Sequence, residues 1–231
     1  MTQKVTVGIV LSRTNYGEAD RILTVLTSDQ GKVRLVAKGV RRIKSRLAGG
    51  IELFSINDIT YIVGRGDLGT LVSARVFRNF GSIVKDVNRT MFTYDVLKVL
   101  NKLTEDSPEQ EYFTVLARTL EAIDNAQNSL DAIALWFYMQ LLRLSGHLPN
   151  LVTDNHGKKL HSEKRYIFML EDMAFSESVN GPFTADHIKL LRLSESAKSA
   201  IKIAQITGAD KILPSLSQLT LTMLKQHTRI S

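Results

Sequence analysis

Apolar residues in the first eighty positions recur at every second place. Val5, Val7, Ile9 and Leu11 alternate with Thr6, Gly8 and Val10 over about 3–13, which predicts a strand. Asn15-Tyr16-Gly17 ends it, and a second strand follows over 20–27. Ser28-Asp29-Gln30-Gly31 reads as a hairpin turn, with Gly31 suited to a positive φ. In a third strand, 32–38, Val33, Leu35 and Ala37 share one face and Lys32, Arg34, Val36 and Lys38 the other. Period two therefore turns an apolar face inward and a mostly cationic face outward. Strands at about 52–63 and 68–77 follow, divided at Gly64-Arg65-Gly66-Asp67. Five short strands with glycine-rich turns and no strong helix between them predict a small closed β-barrel.

After Gly81 the period changes to 3.6. Phe92, Val96, Val99, Leu100 and Leu103 share one helical face, as do Phe113, Leu116, Leu120 and Ile123. A third face joins Leu130, Ile133, Ala134, Phe137, Leu141, Leu144 and Leu148, with Ser129 as its cap. Its run Ile133 to Leu144 is interrupted by Gln140 and Arg143 and is too short to span a bilayer, which predicts a buried helix. Residues 149–183 lose periodicity, with room for a short strand at 166–170. Helices are expected again over 185–194, capped by Thr184, and at about 196–206 and 214–227. The predicted class is α+β. A β-barrel over 1–80 precedes a helical domain over 81–231 that carries an irregular insertion at about 149–183.

Composition narrows the function. The chain of 231 residues is 44% hydrophobic and 23% charged, as expected of a globular protein, and the start has no long apolar stretch of a secretory signal. There is no cysteine, which removes disulfides, thiol nucleophiles and thiolate zinc sites and fits the cytoplasm. The net charge of +7 is unevenly spread. Residues 1–80 carry thirteen Lys and Arg against six acids, whereas 81–231 balances at seventeen of each. Such localisation is the footprint of a module for polyanions; a basic surface kept for solubility is the competing reading.

The densest charge is Lys38-Gly39-Val40-Arg41-Arg42-Ile43-Lys44-Ser45-Arg46, with five cations in nine residues. Mobile cations beside a β-face suit a phosphate backbone, and Tyr16 is placed to add stacking. Arg65 is expected in a hairpin turn, touching backbone phosphates; Gly64-Arg65-Gly66 lacks the further glycine and the helix of a dinucleotide site. His156 and His161 lie near Asp154, but a metal would need two more convincing ligands. Glu18 and Asp20 could form a carboxylate pair, though the neighbouring Arg21 makes ion pairing the simpler reading. With no P-loop and no nucleophile elbow, the expectation is a binding protein without a cofactor, not an enzyme.

These residues carry a resemblance. Tyr16-Gly17-Glu18-Ala19-Asp20-Arg21-Ile22, Gly31-Lys32, Ala37-Lys38-Gly39-Val40-Arg41-Arg42, Lys44-Ser45-Arg46-Leu47-Ala48-Gly49 and Gly69-Thr70-Leu71 resemble, in order, the bacterial DNA-repair family RecO. Further on, Leu142-Arg143-Leu144-Ser145-Gly146-His147-Leu148-Pro149 looks like that family's LRLLGYxP segment. The resemblance implies an N-terminal OB-fold and a C-terminal helical domain. It implies a recombination mediator that binds single- and double-stranded DNA and anneals complementary strands. Its implied partners are the single-stranded-DNA-binding protein and RecR, with which it helps load the RecA recombinase in the cytoplasm, at the nucleoid. Many relatives carry a four-cysteine zinc element near 150–180; here Thr153 and His156 stand about where its first pair would be, so a metal-free loop is expected.

The expected DNA-binding residues are thus Tyr16, Lys32, Arg34, Lys38, Arg41, Arg42, Lys44, Arg46 and Arg65. An acidic partner tail would need an Arg beside an apolar pocket, for which Arg118, Arg143 and Arg192 are candidates, each equally readable as an ordinary helix-surface Arg. Two other classes stay open: a sequence-neutral RNA-binding factor on the same barrel, and a metal-dependent nuclease using Glu18, Asp20 or Asp67.

Overall fold

The computed structural model describes residues 2–43, 45, 47–64, 66–104 and 110–228. Five strands, β1 (Gln3–Tyr16), β2 (Asp20–Thr27), β3 (Lys32–Ala37), β4 (Ser55–Ile62) and β5 (Leu68–Asn79), close into a barrel in the order β1-β2-β3-β5-β4. Closure depends on the length of β1. Its first half pairs with β4, from Gln3 opposite Ile62 to Ile9 opposite Ile56, and its second half pairs with β2. A bulge between Val10 and Ser12 bends the strand where it changes partners. All pairings are antiparallel except β3 with β5. Val10, Leu23, Val25, Leu35, Ile59 and Leu71 fill the interior. The wall is thin at Gly8, where an added Cβ would lie 2.6 Å from Val25 Cγ1 and 2.9 Å from Ile59 Cδ1.

The strands fall close to where alternation puts them, but β1 is buried on both faces at its centre: Ile9, Val10 and Leu11 are all buried. The reason is the next two elements. Helices α1 (Val87–Leu103) and α2 (Gln110–Asp124) pack against β1, and α2 also against β2. Asp86 caps α1 by accepting the Arg89 N–H at 2.9 Å. The buried Arg89 guanidinium donates to the carbonyls of Ile123 and Ala126, both at 2.8 Å, which stabilises the C-terminal end of α2. The chain therefore changes period near residue 80, while its first compact unit runs on to Ala126.

The second unit begins at Gln127. Its centre is α3 (Leu130–Leu144), buried without interruption from Ala132 to Leu142, as the apolar run predicts. Around it lie α4 (Ala185–Ser196), α5 (Ala200–Ala204) and α6 (Leu213–His227). Polar side chains of α3 satisfy the end of α4: Trp136 Nε1 donates to the Ala197 carbonyl at 2.8 Å, and Gln140 Nε2 to those of Ser194 and Glu195 at 2.9 and 3.0 Å. The stretch expected to be irregular contains a three-stranded sheet. Strands β6 (Asn150–Asp154), β7 (Tyr166–Met169) and β8 (Ala174–Glu177) pair in the order β6-β8-β7. Among the described residues, no helix is long and apolar enough to cross a membrane.

Candidate nucleic-acid interface

The basic loop leaves β3 at Lys38 and is held from its first residues. Asp20, at the start of β2, accepts the Gly39 N–H at 2.7 Å. The Arg41 N–H donates to the Ala19 carbonyl at 2.9 Å, and Arg41 Nη1 to the Gly17 carbonyl at 3.2 Å. Gly39, with φ of 63°, starts a tight turn in which the Arg42 N–H donates back to the Gly39 carbonyl at 3.1 Å. Val40 points into the barrel core, 4% exposed. The loop is thereby fixed to the β1–β2 hairpin on one side and to the core on the other. What it leaves in solvent is cationic: Lys38, Arg41 and Arg42 are exposed, and so is Ile43. Tyr16, opposite Asp20 at the hairpin end, is 54% exposed.

Lys32 and Arg34 lie toward the other end of β3. Six residues at ~3.3 Å put roughly 20 Å of strand between Lys32 and Lys38. Lys32 is half-buried, and its Nζ donates to the Asn101 carbonyl in the last turn of α1 at 2.7 Å. Arg34 is exposed and borders a cleft of about 630 Å³. Val36, expected on the outward face, is buried. The cations read as one surface thus form two groups, one at each end of β3. Lys44, Arg46 and Arg65 lie outside the described residues.

The carboxylates expected as an alternative active site do not converge. Asp20 is engaged by the Gly39 amide, Arg21 Nε donates to Asn15 Oδ1 at 3.1 Å, and Asp67 borders the cleft. Among the described residues no group of three or more His, Cys, Asp or Glu could hold a metal ion. At the place where the resemblance implies a zinc element in many relatives, the residues do not fit the metal either. Thr153 lies in β6, and the turn after it is organised by Asp154, whose Oδ1 accepts the N–H of His156 at 2.9 Å and of Lys158 at 2.8 Å. Burial pushes that carboxyl up, but the two amides together with the charges of His156 and Lys158 hold it below the usual range.

Of the three candidate tail-binding residues, Arg118 is exposed on α2, and Arg143 is exposed on α3 with its Nε donating to Gln140 Oε1 at 3.2 Å. Arg192 on α4 holds the start of the small sheet, its Nε donating to the Leu151 carbonyl at 2.9 Å. Sequence reading missed the role of Asp20 and the presence of Lys4 and Tyr61 in the cleft. The position of Asp20 directly after a Gly-containing turn, facing the strand that leads into the basic loop, was the available signal.

A closed five-stranded barrel with a pinned cationic loop, followed by a helical region, defines an α+β protein built on an OB-like barrel. The family model described as Recombination protein O N terminal matches residues 1–80, and Recombination protein O C terminal matches residues 85–230. The chain belongs to the recombination protein O family. It is similar to "DNA repair protein RecO" of Rubrobacter xylanophilus, 36% identical over 144 residues that cover 62% of this chain and 58% of that protein. The protein of the same name from Halalkalibacterium halodurans is 32% identical over 145 residues, 62% of this chain and 56% of the relative. That of Roseiflexus sp. is 28% identical over 232 residues, 97% and 79% respectively. The chain thus matches less than two thirds of the length of the first two relatives.

Proposed function

We propose that this chain is a recombinational DNA-repair mediator. It binds single- and double-stranded DNA, anneals complementary strands and, with RecR, helps load RecA onto DNA coated by the single-stranded-DNA-binding protein. The observation that carries the reading is the exposure of Lys38, Arg41 and Arg42 on a loop whose backbone is fixed to the β1–β2 hairpin. Phosphates on two strands repel each other. A preorganised cationic loop displaces their counterions and keeps both strands locally concentrated, so annealing needs no covalent step. On this reading Lys44, Arg46 and Arg65 also neutralise phosphates, and Tyr16 stacks on a base. The family names of the relatives support the repair role. An acidic partner tail is met by an exposed helical Arg, Arg118 or Arg143, while Arg192 also serves the small sheet. The protein works in the cytoplasm at the nucleoid.

The test replaces Lys38, Arg41 and Arg42 with Ala. Affinity for single-stranded and duplex DNA falls, and annealing drops to the rate in buffer. The log–log salt slope on single strands becomes shallower by about 2, at ~0.7 for each phosphate that is no longer neutralised. Unchanged affinity removes the loop from the mechanism. Equal binding and annealing on RNA would instead support the RNA-binding reading.

A further inference from the structure

The cleft at the far end of β3 has a different chemistry from the basic loop. Its volume, about 630 Å³, falls within the range of ~300–1,000 Å³ typical of small-ligand sites. Lys4 from β1, Arg34 from β3 and Tyr61 from β4 border it, with Val33 and Val63 as apolar walls and Asp67 as its acid. Lys32 also lines it, with its ammonium held by the Asn101 carbonyl. Lys4 Nζ is shared with Gln30 Oε1. Arg34 is exposed, and its guanidinium has no hydrogen-bond or ion-pair partner among the described residues.

Tyr61 is the less expected feature. It is 4% exposed, and its hydroxyl has no hydrogen-bond partner among the described residues. The ring lies in the core, while the hydroxyl reaches solvent at the cleft and is free to donate to a ligand oxygen. Burial, and then the nearby charge of Asp29, push the phenol above its ordinary value, so the group stays a proton donor. The cleft therefore offers an unpaired cation, a free hydroxyl donor and two apolar walls.

We infer that this cleft takes one unpaired nucleotide of a single DNA strand, with a phosphate on Arg34, a base or sugar oxygen on the Tyr61 hydroxyl and the base against Val33 and Val63. The inference rests on the DNA-binding reading above and adds strand discrimination to it. A paired base is stacked on both faces and cannot enter a concave site unless it is first extruded. An unpaired nucleotide can enter directly. The basic loop, which meets only phosphates, serves both kinds of DNA, whereas the cleft serves single strands alone.

Tyr61→Phe removes only the hydroxyl and keeps the ring in the core, and Arg34→Ala truncates an exposed side chain, so both leave the barrel folded. Fluorescence anisotropy on the whole chain compares a labelled oligothymidylate with a duplex of equal length. Arg34→Ala is expected to bind the single strand about tenfold more weakly, the effect of one charge-assisted hydrogen bond, and Tyr61→Phe about fivefold more weakly, the effect of one neutral bond. Duplex affinity stays at the wild-type value in Tyr61→Phe and falls less than single-strand affinity in Arg34→Ala. Equal losses on both DNAs, or single-strand affinity unchanged in both variants, overturn the inference. If the loop variant loses DNA binding while the cleft variants lose none, the cleft falls and the proposed function stands. If neither set of variants loses affinity, both fall.

Discussion

Asp20 separates two accounts of the basic loop, because they predict opposite signs for one substitution. If the loop were only a reservoir of charge, removing a nearby carboxylate would strengthen DNA binding. At ~10 Å in water one unit charge acts on a phosphate by about 0.4 kcal/mol before salt screening, so the gain would be less than about twofold. The structure gives Asp20 another role. Its carboxylate accepts the Gly39 N–H at 2.7 Å at the point where β3 becomes the loop. A charge-assisted bond of this kind contributes roughly 1.5 kcal/mol. Asp20→Ala leaves the loop to be ordered by the DNA itself, so affinity is expected to fall about tenfold in spite of the removed negative charge. Asp20→Asn keeps an acceptor oxygen while losing the charge, and is expected to bind as the wild type or slightly tighter. Anisotropy titrations on duplex DNA at several salt concentrations measure both. The salt slope of Asp20→Ala stays unchanged, because every phosphate-binding cation is still present. If both variants bind tighter by the same small factor, the hydrogen bond does not position the loop and the argument from preorganisation is wrong.

Two further outcomes test how each unit is held. Arg89→Met removes two charge-assisted bonds, to the Ile123 and Ala126 carbonyls, from a side chain that is 8% exposed. At ~1.5 kcal/mol each this costs about 3 kcal/mol in urea unfolding followed by circular dichroism, and a loss under about 1 kcal/mol would show that water replaces the guanidinium. In the second unit, His187 Nδ1 accepts the Thr184 N–H at 3.2 Å in the cap of α4. Burial lowers its pKa below the ordinary 6.5, Asp186 opposes this and Arg165 adds to it. The folded state therefore takes up a proton less readily than the unfolded one. The contribution is complete above about pH 6.5 and is lost as the pH falls through the lowered value. Melting of this unit, reported by Trp136, is expected at lower temperature at about pH 5 than at about pH 7, and His187→Gln should flatten the difference. An equal difference in that variant would assign the pH dependence elsewhere.

The barrel strands and the long helices were legible because each buries one face, which stamps a period of two or 3.6 on the sequence. What that period cannot carry is the partner of the buried face. Ile9, Val10 and Leu11 look like any strand, and only the packing of α1 and α2 on β1 explains why all three are buried. Length sets a second limit. β6, β7 and β8 have five, four and four residues, too few for alternation to rise above chance, so only the neighbourhood of Tyr166 hinted at them. Charge arithmetic located the basic loop, since cations there outnumber acids within a few residues. It could not divide the cations into two groups, because Lys32 and Lys38 bracket one short strand and differ in what surrounds them. Asp20 was noticed as a carboxylate. Its bond to a backbone amide leaves no trace in the pattern of side chains.

The small sheet of the second unit poses the remaining physical question. Two- and three-stranded sheets of a few residues are marginal unless something covers a face or closes an end, and in many relatives the resemblance implies a four-cysteine metal element here. In this chain the end is closed by Asp154, which ties the turn through two backbone amides, and by the Asn155 N–H, which donates to the Phe175 carbonyl at 2.8 Å. The face is covered by aromatic rings. Phe175 is fully buried and meets Tyr166, Phe168 and Phe183 edge-on, with centroids 6.1, 5.0 and 5.7 Å away. Such pairs contribute ~0.5–1.5 kcal/mol each beyond the area they bury. Gly181 lets the following turn press onto the Tyr166 backbone, where an added Cβ would come within 2.3 Å. Arg192 then joins the first strand to α4. A carboxylate, a ring cluster and a guanidinium thus do by packing and hydrogen bonding what a thiolate site does by coordination. The stability of this sheet is therefore tied to core packing, with no thiolate set whose protonation or oxidation could release it.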